Sequence, residues 1–83
     1  MRLRSDCSVM ELRGKYLLMG PNLSLEVNDG FKALWDVAAA LGEFSAESLA
    51  GKIAAVFDIS EKDALAEAEK AISLWEKHSL TRR

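Results

Sequence analysis

Apolar and polar residues change period once along this chain, and the change divides it in two. In Leu23-Ser24-Leu25-Glu26-Val27 they alternate strictly. That pattern puts Leu23, Leu25 and Val27 on one face of a β-strand and Ser24 and Glu26 on the other. Two segments ahead of it carry shorter strand signals. Val9-Met10-Glu11-Leu12 half alternates, and Lys15-Tyr16-Leu17-Leu18-Met19 is nearly all apolar. Arg13-Gly14 between them predicts a two-residue hairpin turn, although Asn-Gly is the stronger signal. Gly20-Pro21-Asn22 then breaks the chain, because proline locks φ and glycine admits positive φ.

From Asn28 the period becomes 3.6. Asn28 or Asp29 can cap a helix, and Phe31, Leu34, Trp35, Ala38 and Leu41 form its apolar stripe. Gly42 supplies the stop. Ser45 opens a second helix with Leu49, Ile53, Val56 and Phe57 inward, and Asp58-Ile59 connects it to a third. Ser60 caps that helix, with Asp63 as a shorter-armed capping-box partner. Leu65, Ala68, Ile72 and Trp75 form its stripe, flanked by Ala64 and Ala71, and Leu80 closes the end. Three strands followed by three helices predict one small α+β domain with a three-stranded antiparallel sheet covered on one face. Residues 1–7 and 81–83 read as frayed, flexible ends.

Composition narrows the chemistry. The chain has 83 residues, a net charge of −2, one cysteine and one histidine. A single Cys7 excludes an internal disulfide framework, and a lone His78 excludes the usual Cys/His zinc site, so no metal and no cofactor is expected. No run approaches the ~20 apolar residues of a membrane-spanning helix, and the basic start lacks the apolar stretch of a signal peptide. These features point to a cytoplasmic protein with a reduced thiol and no membrane partner. Weak net acidity opposes non-specific nucleic-acid binding. Phosphate loops and nucleophile elbows are absent, and the sequence offers no catalytic residues. Cys7 is read as lying in a mobile tail, where Asp6 raises its pKa. His78 suits the negative end of the third helix dipole. Trp35 and Trp75 fall on core stripes.

Two features suggest binding. A sheet this small has two edges, and Leu23–Val27 contains no lysine or proline to block an approaching strand. Its five residues offer a dock of about 17 Å for strand addition. Leu74 lies about 60° outside the third helix stripe, beside Glu67, Ala71 and His78 and near Lys70, where it can line a shallow groove.

These residues carry a family resemblance that covers Val9 to Leu80. It rests on Glu26-Val27-Asn28 at the strand-to-helix junction, Phe31-Lys32-Ala33-Leu34-Trp35, Gly42, Ser45-Ala46-Glu47-Ser48-Leu49, and the long last helix ending near Leu80. In this pattern the chain resembles the PqqD-like family, named from pyrroloquinoline quinone biosynthesis protein D. Its members are recognition elements for ribosomally made, modified peptides. Val27 stands where leucine is commoner, Gly42 lacks a preceding aspartate, and Ser79 replaces a frequent glycine. The resemblance implies a winged-helix-like, non-catalytic peptide chaperone. Such a protein binds the leader of a precursor peptide as an added strand. It then presents the peptide to a modifying enzyme, often a radical S-adenosylmethionine enzyme. Carried onto this chain, the peptide-binding residues are Leu23, Ser24, Leu25, Glu26 and Val27 on the strand. On the third helix they are Glu67, Lys70, Ala71 and Leu74.

Other classes predict other partners. A winged-helix DNA-binding domain would read DNA with its second and third helices, yet the third sets Lys62, Lys70 and Lys77 against Glu61, Asp63, Glu67, Glu69 and Glu76. A structural subunit could dock on a larger protein through the same strand edge, or two copies could pair there as a homodimer.

Overall fold

The computed structural model describes residues 1–82. It contains β1 (Arg2–Leu3), β2 (Ser8–Leu12), β3 (Lys15–Gly20), β4 (Leu23–Val27), α1 (Asp29–Leu41), α2 (Ala46–Phe57), α3 (Glu61–Lys77) and β5 (Thr81–Arg82). The architecture is α+β and winged-helix-like. A three-stranded antiparallel sheet of order β2-β3-β4 precedes three helices, and β1 pairs with β5 in a separate ladder. The strand expected third in the chain is thus β4.

Arg13 and Gly14 turn the chain from β2 to β3, both with positive φ. That is the type I′ conformation, whose twist matches the flanking strands. Leu12 pairs with Lys15 across it. Gly20 lacks a side chain for a different reason from the freedom in φ expected of it. A Cβ there would lie 3.0 Å from the Cys7 sulfur.

Each helix begins on a side-chain acceptor. Asn28 Oδ1 accepts from the Phe31 N–H at 2.8 Å, and Ser60 Oγ accepts from the Asp63 N–H at 3.1 Å. The reciprocal capping box occurs at α2, where Ser45 and Ser48 each accept from the other's backbone N–H. α3 ends in a Schellman motif: the Ser79 N–H donates to the Glu76 carbonyl and the Leu80 N–H to the Trp75 carbonyl. Ser79 occupies the left-handed position, with φ 58°.

The core lies among the helices. Trp35 and Phe44 each meet Trp75 edge-on, at 5.8 and 5.9 Å between ring centroids, and Phe31 stacks on Trp35. Leu49, Ile53, Ala64 and Ala68 are sealed around them, and the sheet contributes Leu18. The stripes differ from expectation in detail. Ala64 and Ala71 are buried while Leu65 is only partly so, and Val56 and Phe57 are exposed. Small residues let α2 and α3 approach closely, and that approach leaves no room for the larger ones inside. Phe44, in a loop without period, is buried as well.

The ends differ most from expectation. Where frayed termini were predicted, Arg2 pairs with Arg82 and Leu3 with Thr81. The Arg4 N–H donates to the Leu80 carbonyl, and the Phe44 N–H donates to the Met1 carbonyl. Three-residue ends carry no periodic signal, so only their convergence in space reveals the pairing. The same expectation for Arg83 lies outside the described residues. Cys7 likewise belongs to no mobile tail: it is buried against the core. Its thiol pKa is raised first by burial and then by the Asp6 charge.

Candidate functional site

β4 is an edge strand, bonded only to β3 among the described residues. Its register with β3 pairs Tyr16 with Val27, Leu18 with Leu25 and Gly20 with Leu23. Gly20 and Leu23 flank the two-residue turn Pro21-Asn22, which makes them a hydrogen-bonded pair. Bonded pairs recur every second residue in an antiparallel ladder. Leu25 and Val27 therefore also bond to β3, while Ser24 and Glu26 turn their N–H and C=O groups away from the sheet. Two N–H and two C=O groups are left for another strand.

The side chains follow the pleat. Leu18 is fully buried, so the face it shares with Leu25 and Val27 looks toward the helices. Ser24 and Glu26 lie on the opposite face. There the Ser24 hydroxyl meets the Met19 sulfur, and Glu26 pairs with Lys15 at 3.5 Å.

Between β4 and the helices opens a groove of about 710 Å³. Leu25 and Val27, with the backbone of Glu26 between them, form one wall, and Glu67, Lys70, Ala71 and Leu74 of α3 form the other. Its floor and ends are Leu18, Phe31, Leu34, Ile53, Phe57, Ile59, Trp75 and Leu80, with His78 at the rim. The lining is almost wholly apolar, and its charged residues sit at the mouth. Lys70 and Glu67 lie 4.0 Å apart on the exposed side of α3.

The structure therefore gathers Leu25, Glu26, Val27, Glu67, Lys70, Ala71 and Leu74 around one cleft. It does not bring Leu23 or Ser24 to it. Leu23 packs on the core at the hairpin end, and Ser24 faces the far side of the sheet. Phe31, Phe57 and Ile59 are groove residues that the pattern assigned to core or connection. Phe57 is 42% exposed and Ile59 37%. The signal was present as an α2 stripe longer than a 12-residue helix can bury, running on into Ile59.

Chemistry beyond binding finds few groups. Among the described residues, no group of three or more His, Cys, Asp or Glu is placed to hold a metal ion, and no helix is long and apolar enough to cross a membrane. No protein-family model matches this chain, nor does any curated protein or solved structure.

Proposed function

We propose that this domain captures an extended peptide segment by strand addition along β4. In this reading the peptide is the leader of a precursor, and the domain presents it to a modifying enzyme, of which a radical S-adenosylmethionine enzyme is one kind. One observation carries the reading: an unpaired strand edge borders an apolar groove walled by α3. Backbone groups of Ser24 and Glu26 supply affinity that any sequence can use, and the groove selects among side chains. The resemblance to the PqqD-like family supports the same assignment of strand and helix.

Each backbone hydrogen bond contributes on the order of 0.5–1.5 kcal/mol. Burying part of Leu74, Phe57 and Ile59 adds apolar transfer energy at roughly 25 cal/mol per Å². Ordering a flexible peptide opposes both. The balance predicts micromolar affinity, about −8 kcal/mol.

The test is amide NMR on labelled protein, titrated with the N-terminal half of a short peptide encoded beside its gene. Shifts concentrated on residues 23–27 and 67–74 are the expected result. A folded spectrum without shifts, from a sample of monomer mass, sinks the reading. Leu74→Glu should leave the spectrum folded and weaken binding at least tenfold, since Leu74 is already 41% exposed and its replacement costs the fold little. Unchanged affinity in that variant removes the groove from the account. A proline probe belongs at Glu26, whose N–H faces outward, and not at Leu25, whose N–H is spent on β3.

A further inference from the structure

We infer that the peptide taken by β4 carries a basic residue between two apolar ones, because Glu26 marks the one charged position along the docking edge. The inference rests on the strand-addition reading. Every strand pair in the sheet is antiparallel, and an antiparallel partner is also the stronger kind. Such a partner sets one of its residues opposite each residue of β4.

Register then decides what each peptide side chain meets. Peptide residues opposite Val27 and Leu25 point to the helix side, into the groove beside Phe57, Ile59 and Leu74. These positions require apolar side chains. The residue between them stands opposite Glu26 and emerges on the other face, next to the Glu26 carboxylate. The residue after the one opposite Leu25 stands opposite Ser24, a small polar neighbour. Cross-strand neighbours of opposite charge stabilise a sheet, and like charges oppose it. Lysine or arginine opposite Glu26 is thus favoured and glutamate disfavoured. Lys15, 3.5 Å from Glu26, shares that carboxylate from the β3 side. Both side chains are about two-thirds exposed, so Glu26 has room for a second cation, and Lys15 weakens the preference without abolishing it.

Three acetylated, amidated peptides test this, each flanked by glycine and reading leucine, X, leucine, serine, leucine, with X lysine, glutamine or glutamate. Affinities are measured by titrating each peptide into labelled protein and following the amide NMR spectrum, at low salt and at 0.5 M salt. The expected order is lysine over glutamine over glutamate, with about threefold per step at low salt and convergence at high salt. Glu26→Gln should remove the order, Glu26→Lys should reverse it, and Lys15→Gln should widen it. Equal affinities for the three peptides, or an order unchanged in Glu26→Lys, overturn the charge rule while leaving strand addition standing. If none of the three shifts the β4 amides, strand addition itself fails and takes this inference with it.

Discussion

Trp75 on α3 and Leu25 on β4 are large apolar residues lining the same groove, yet Trp75 is 1% exposed and Leu25 is 37%. The contrast extends to the regions they belong to. The helices close on one another through Trp35, Phe44, Leu49, Ile53, Ala64 and Ala68, all at or near full burial. The sheet adds only Leu18 to the fully buried set, and β4 has no buried residue. Leu23 and Val27 of β4 pack against the core but stay only partly buried. Stability is therefore concentrated where no ligand could enter, and the strand is left with an open edge and half-covered side chains. A binding strand of this kind trades its own burial for that of a guest.

Substitutions separate the two regions most sharply in the helical layer. Trp75→Ala should cost roughly 3–5 kcal/mol, enough to unfold much of a domain this small, as read by urea denaturation. A loss below ~1 kcal/mol would show that the aromatic cluster is not the keystone. Leu18→Ala should cost about 3 kcal/mol, because it is the sheet's one sealed side chain; a loss comparable to that of an exposed site would detach the sheet from the core. At the turns the sign reverses. Ser79→Gly and Arg13→Asn each relieve a left-handed backbone that disfavours the native residue, and each should stabilise by about 0.5–1 kcal/mol in the same measurement. No gain at Ser79 would mean that the Schellman end of α3 is held by Leu80 alone.

The smallest effect concerns pH. The Arg4 guanidinium donates to both Asp6 carboxylate oxygens, holding that carboxyl below its ordinary range. The folded value is depressed, so the pair's contribution is present above the ordinary carboxylate range and is lost as pH falls through the depressed value. Hydrogen exchange at a pH below the ordinary carboxylate range should therefore release the Arg4 amide, bonded to Leu80, before the amides of α3. Simultaneous release would tie the terminal ladder to the global fold.

Much of this architecture was readable from residue order. Asn28, Gly42, Ser45 and Ser60 mark helix boundaries through local chemistry, and each does so in the structure. The alternation of Leu23–Val27 identified a strand and its faces, and the offset of Leu74 identified the exposed side of α3. Phe57 and Ile59 escaped because an apolar residue at the end of a stripe reads the same whether a neighbour covers it or a groove opens there. Phe44 escaped because loops have no period.

Local rules act over a few residues: a side-chain oxygen reaches an N–H three positions on, and a pleat repeats every two. Periodicity and capping therefore identified the three strands of the main sheet, the three helices and the residues that cap them, but not the short β1 and β5 at the ends. Which strand lies at the edge, which outward groups stay unpaired, and how the two ends of the chain meet all depend on contacts between distant residues. Leu3 reaches Thr81, Cys7 lies under Gly20, and β4 stands across from α3 only once the helical core has closed. The groove is a space between elements. No single segment encodes it, and only their packing leaves it open.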